Sequence, residues 1–227
     1  MTNRSFFIGE LIGEGWKKTK QNLGFFIPLL IIAWGIPLLL NYLMNWVFKD
    51  QMIISCSIAL VYMFFCILIS IGMVKSALKI ARDEKGSLGD LFNGGPLFFK
   101  YFFASILYSL IVMGGLILLI VPGVIWMVKF SFFQYFVVDK KMGPVAALKA
   151  SSKITQGVKW DILGFWGVAW LVTLLGVLCL GVGVFLSVPT VMLASVLLYH
   201  KLFLHEEDLD YEKTETPEVL NPVIPED

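Results

Sequence analysis

Acidic side chains are missing from nearly all of the long apolar stretches of this sequence. The runs at 23–48, 52–81, 97–121, 122–138, 160–180 and 184–204 contain no Asp or Glu except Asp161, at the entrance to the fifth. That absence excludes a carboxylate–histidine proton relay within a membrane. It also leaves Lys129, the one basic residue deep in an apolar run, without an obvious acidic partner, which weakens a reading as an ion-coupled transporter. Cysteine is scarce as well. Cys56, Cys66 and Cys179 all lie in apolar runs, are odd in number and form no C-x-x-C, so they read as small buried hydrophobes rather than a disulfide framework or metal site. His200 and His205, five apart, share a helix face poorly and do not make a metal pair. No nucleophile elbow, phosphate-binding loop or paired-carboxylate motif is present, and Ser131, Ser151 and Ser152 have no base nearby in sequence. The expectation is a protein that is not an enzyme, with no cofactor, no metal and no nucleic-acid partner.

What the sequence has is apolar length. Hydrophobic residues make up 58% of the 227 positions and charged residues only 15%, against ~45–50% and ~25% in soluble domains. Mean hydropathy is +0.80. Such a chain needs lipid as its solvent. A hydrocarbon core of ~30 Å takes about 20 helical residues, and the six runs are each long enough or nearly so. The expected fold is an all-α integral membrane protein of six transmembrane helices. They form three hairpins, each entered from a cytoplasmic amphipathic or polar segment.

Residues 1–22 precede the first run. Ile8, Leu11, Ile12, Gly15 and Trp16 fall on one helical stripe and Glu10, Glu14, Lys17, Lys18 and Gln21 on the other, which predicts an amphipathic helix lying in the interface. The polar stretch ahead of Leu23 has no short apolar core with a small-residue cleavage site, so no cleavable signal peptide is expected. Pro28 sits near the start of span one, and Pro37, deeper, predicts a kink. Span two, at 52–81, would be ~45 Å long at 1.5 Å per residue, so it must tilt or project. Lys75, Lys79 and Arg82 share one face of its end. Ser87 is placed to cap a single helical turn over 88–92. Val121-Pro122-Gly123 and Gly181-Val182-Gly183 read as short uncharged turns. Between spans four and five, Gly143-Pro144 starts and Gly157 ends a second interfacial helix, with Lys149 and Lys153 on one side. The three outgoing spans open alike, on Leu23-Gly24-Phe25-Phe26, Leu97-Phe98-Phe99 and Leu163-Gly164-Phe165-Trp166; a threefold repeat and plain hairpin stacking both account for this. The membrane domain is expected over 23–204. Residues 205–227, with most of the three-proline segment's charge acidic, are expected to be a disordered cytoplasmic tail.

Sixteen of the 18 Lys and Arg fall on the side of the termini or at adjoining helix ends, Lys49 and Lys129 being the exceptions. The positive-inside rule then places both termini in the cytoplasm. Lys129, with Gln134 a little over a turn further on, is the candidate intramembrane polar site. Lys75, Lys79, Arg82, Lys149 and Lys153 are candidate contacts to anionic lipid headgroups on the cytoplasmic side. The expected function is to organise membrane lipids or a membrane-protein partner; the alternative is a small transporter or lipid-handling protein with an anion or lipid phosphate at Lys129.

From Val121 onward the residue order resembles a known family. Val121-Pro122-Gly123 is followed by Lys129-Phe130-Ser131-Phe132, Val137-Val138-Asp139, Gly143-Pro144, Ala147-Leu148-Lys149-Ala150-Ser151 and Thr155-Gln156-Gly157. This looks like the YciC-like bacterial inner-membrane proteins, and is similar to the membrane domain fused to some glycerophosphodiester phosphodiesterases. The match covers roughly 121–200, with a looser likeness around Gly15-Trp16. The resemblance implies a six-span bacterial inner-membrane protein with a basic residue common at the Lys129 position. It does not imply catalysis, since the fused enzymes carry their active site in a separate soluble domain.

Overall fold

The computed structural model describes residues 6–47, 51–91, 94–179 and 183–215. Nine α-helices run in order through it: α1 Ile8–Gln21, α2 Leu23–Tyr42, α3 Met52–Ala81, α4 Phe98–Leu118, α5 Ile120–Phe130, α6 Phe133–Asp139, α7 Pro144–Ile154, α8 Lys159–Leu178 and α9 Val184–Glu215. No strand occurs among the described residues. Six stretches are long and apolar enough to cross a bilayer, and α5 with α6 together make the fourth. In four of the six, only 22% of the apolar window is buried inside the bundle. The side chains left facing outward include Leu38, Ile53, Ile117 and Leu175. In water that surface would be a liability; in hydrocarbon it carries no penalty. The protein is a polytopic all-α membrane protein.

The sequence placed α3 correctly and located the first uncharged turn to within a few residues; the second, at 181–183, lies largely outside the described residues. The first of them falls elsewhere than expected. The chain reverses at Leu119, whose backbone is extended (φ −165°, ψ 149°), and Val121, Pro122 and Gly123 form the opening turn of α5. Pro122 fits there because the first-turn N–H groups have no helical partner. Gly123 serves packing instead of turning: a Cβ on it would lie 2.8 Å from the Leu116 backbone nitrogen, and one on Gly115 would lie 2.9 Å from the Gly123 Cα. Gly176 and Gly183 meet in the same way below the α8–α9 reversal. Glycine at these crossings lets antiparallel spans approach backbone to backbone. Ser87 accepts the Gly89 N–H at 3.2 Å at the start of a single 3₁₀ turn, Leu88–Leu91, close to where the cap was expected.

The structure sharpens three expectations. The first concerns α1, an amphipathic helix whose apolar stripe rests on another helix of the protein. It buries Leu11, Gly15 and Thr19, a stripe at i, i+4 and i+8, and packs most extensively on α9. Thr190 donates to Thr19 at 3.3 Å, and Trp16 stays outside the contact with Lys20 5.4 Å over its ring. Gly15 allows this approach, since a Cβ there would stand 2.6 Å from the Thr190 carbonyl oxygen. The second concerns the segment beyond 204, where the polar sequence argued for disorder. The helix α9 continues through Glu215, held at its polar end by an ion pair between Glu206 and Lys153 at 3.5 Å; residues 216–227 lie outside the described residues. The third concerns the second basic helix, α7, whose buried side packs against α4, α5 and α6 while Val145 and Lys149 stay exposed.

Substituting Gly15→Val places a branched side chain against the Thr190 backbone. Overpacking of this kind costs about 1–3 kcal/mol, and here it acts on the contact that holds α1. The expected outcome is a lower unfolding temperature in detergent and faster tryptic cleavage at Lys17, Lys18 and Lys20, both read against the wild-type protein.

Candidate functional site

Span four is interrupted, and the local sequence accounts for where. Serine favours side-chain bonds to nearby carbonyls over helix continuation, and Ser131 Oγ donates to the Val128 carbonyl at 2.9 Å. α5 ends at Phe130, Phe132 leaves helical geometry (φ −90°, ψ 3°), and α6 begins at Phe133. A break of this kind frees backbone groups, which lipid cannot satisfy. α7 supplies the partners. Ser151 Oγ donates to the Lys129 carbonyl at 3.0 Å and accepts the Phe132 N–H at 3.1 Å. Thr155 Oγ1 reaches the same carbonyl at 3.1 Å, while also lying 3.0 Å from the Ser151 carbonyl. Ser151 and Thr155 are four apart, so both face the break from one side of their helix, and both are fully buried.

A cavity of about 320 Å³ opens beside the break, lined by Tyr108, Met127, Ser131, Gln134, Leu163 and Trp166 among others. Its walls are mostly apolar, with a few polar groups. Gln134 Oε1 accepts from the Tyr101 hydroxyl at 3.4 Å, and the Tyr108 hydroxyl donates to the Met127 carbonyl at 3.4 Å. The two intramembrane candidates therefore part company. Gln134 lines the cavity. Lys129 does not: it is half-buried, its Nζ lies 5.3 Å from the ring of its own neighbour Phe130, and its contribution to the break is its backbone carbonyl.

Several basic residues at the polar end pair with carboxylates of the protein itself. Asp90, almost wholly buried, takes Lys79 at 2.8 Å and Lys75 at 3.5 Å. Arg82 binds Asp139 at 2.5 Å, and the Tyr199 hydroxyl donates to the other oxygen of Asp139 at 3.3 Å. Lys153 meets Glu206, and Lys18 meets Asp83 and donates to the Ala81 carbonyl at 3.3 Å. Four of the five expected headgroup contacts thus hold carboxylates: Lys75 and Lys79 clip the Leu88–Leu91 turn onto α3, Arg82 ties the end of α3 to α6, and Lys153 ties α7 to α9. Lys149 is exposed, and among the described residues no carboxylate pairs with it. No family model, curated protein or solved structure matches this chain.

The sequence reading missed Ser151, Thr155, Asp90, Asp139 and Tyr199. A signal for the first two was present in Ala147-Leu148-Lys149-Ala150-Ser151-Ser152-Lys153-Ile154-Thr155, where Ser151 and Thr155 continue the apolar face of a helix. A hydroxyl pair on that face needs partners across the packing, and a broken neighbouring helix offers them.

Burial works to raise the Asp90 carboxyl, but the hydrogen bond from Lys79 and the charges of Lys79 and Lys75 outweigh it and hold the group below its ordinary value of 3.8. A lowered folded pKa means a contribution to stability that is present above the unfolded value and lost as pH falls through the folded one. Asp90→Asn is expected to destabilise the protein by about 1–2 kcal/mol at neutral pH, with the difference shrinking only as pH falls below the ordinary carboxylate value and through the lowered folded one; thermal unfolding across pH measures it. At the break, Ser151→Ala leaves the Phe132 N–H buried without its partner while Thr155 still serves the carbonyl. The expected loss is about 1–3 kcal/mol, with a larger loss in Ser151→Ala/Thr155→Val, read by denaturation in detergent.

Proposed function

We propose that this protein is a non-enzymatic lipid-organising membrane protein that holds an amphipathic lipid in the cavity beside the break in span four. The observation that carries the reading is the interruption itself: non-helical backbone within an apolar span, sealed on one side by Ser151 and Thr155, with a cavity on the other. Irregular backbone is tolerated at membrane depth where it lines such a space, and a mostly apolar void with a few convergent polar groups is the usual form of a small-molecule site. Gln134 offers an amide to the polar part of the occupant, and Met127, Leu163 and Trp166 offer apolar wall. This moves the expected intramembrane contact from Lys129 to Gln134. The internal pairing of Lys75, Lys79, Arg82 and Lys153 reduces the free charge available for a headgroup collar, so the cavity carries more of the proposal than the surface does. In keeping with the charge bias of the loops and the resemblance of residues 121–200, we place the protein in a bacterial inner membrane with both termini cytoplasmic.

A phospholipid carrying a photoreactive group on its acyl chain tests the reading. Cross-links are expected to concentrate on peptides containing Tyr108, Met127 and Trp166, and to fall about threefold to tenfold in Gln134→Leu, as expected for the loss of one hydrogen bond worth roughly 0.5–1.5 kcal/mol. Cross-links spread evenly over outward residues such as Leu171 and Leu175, unchanged in the variant, would sink it.

A further inference from the structure

A second void lies on the same seam, and its chemistry differs. Ile120, Val121, Val124 and Ile125 of α5 form one wall of a groove of about 420 Å³, and Lys159 and Trp160 of α8 stand opposite. Val128 and Leu163 line both this groove and the Gln134 cavity, and so divide them. The α5 wall is continuous hydrocarbon from side chains one turn apart, and the one charged group lining the groove is the Lys159 ammonium. Among the described residues no carboxylate pairs with Lys159, in contrast to Lys75, Lys79, Arg82 and Lys153. Asp161, two residues on, projects about 200° away around the helix and is exposed, outside the lining. Trp160 is 77% exposed at the rim, an amphipathic ring of the kind that sits at headgroup level.

We infer that the groove between α5 and α8 takes one acyl chain of an anionic phospholipid, with the lipid phosphate on Lys159. The complementarity is specific on both counts. An apolar trough in a bilayer is filled by a lipid chain, and an unpaired ammonium at its edge selects among headgroups by charge. The volume admits a chain and not a whole two-chain lipid, so the second chain stays in the surrounding bilayer. A zwitterionic lipid fits the trough equally well and gains less at Lys159.

Native mass spectrometry of the full chain in detergent, with phosphatidylglycerol or phosphatidylcholine added, tests this. The wild-type protein is expected to retain phosphatidylglycerol about fivefold better, the preference that one cation near a membrane surface supplies. Lys159→Gln is expected to abolish the preference. Val124→Trp, which fills the trough and keeps the lysine, is expected to lower retention of both lipids, and Val124→Leu to do so more mildly if the larger variant folds poorly. Lys85→Gln, at an exposed lysine outside the groove, is expected to leave the preference unchanged. The inference is overturned if Lys159→Gln keeps the wild-type preference, if both Val124 variants fold and retain lipid normally, or if inorganic phosphate alone displaces the lipid. Loss of lipid in Gln134→Leu with wild-type behaviour in Lys159→Gln would leave the cavity reading standing and reject this one; the reverse pattern would reject the cavity reading alone.

Discussion

The bond between Ser151 and the two ends of the broken span sets the architecture of the whole second half of the chain. A helix that stops in an apolar environment leaves a carbonyl and an N–H that nothing in lipid can take. Ser151 closes both, accepting from Phe132 and donating to the carbonyl of Lys129. That contact holds α7 against α5 and α6, and α8, which follows α7 in the chain, packs beside α5. The two voids lie along the seam between α5 and α8, next to this bonded break.

A second constraint acts at the polar end. Asp90 sits between Lys75 and Lys79 of α3, Asp139 sits against Arg82 at the end of the same helix, and each is mostly buried. A buried carboxylate requires such partners, because desolvation alone would disfavour its charge. Their effect is to turn a surplus of lysine and arginine into fasteners between helices. Lys18, Lys75, Lys79, Arg82 and Lys153 pair with carboxylates within the fold, and the other cations, Lys149 and Lys159 among them, differ in what surrounds them. Lys149 faces open space, whereas Lys159 borders an apolar trough.

Close approach of backbones is the third device. Gly15 against α9, Gly115 against Gly123 and Gly176 against Gly183 bring helices together at points where a single methyl would collide. Lipid tails are as apolar as leucine, so helices in a bilayer associate through contact area and hydrogen bonds rather than hydrophobic expulsion. Small residues at the crossings supply that contact. The same principle explains why α1, amphipathic by pattern, ends up docked: its stripe carries a glycine and a threonine that match Thr190 and Ala194.

Fold class, number of spans and the limits of α3 were legible in the sequence, because apolar length and the scarcity of charge are properties of each segment taken alone. The turn at Leu119 was misplaced by three residues, since Pro122-Gly123 serves equally well as a helix start and as a reversal, and only the partner helix distinguishes them. The sequence named Lys129 and Gln134 together; that Gln134 alone of the two lines the cavity was not legible, because which side of a broken helix faces a cavity depends on α4 and α8. Nor were the pairings of Lys75, Lys79 and Arg82, whose partners lie 11 to 57 residues away in sequence. The sequence by itself determined that this chain lives in lipid and crosses it as helices, since hydropathy is additive along a segment. Only the tertiary structure decided where polar groups find partners, since a hydrogen bond or ion pair joins residues that no local pattern relates.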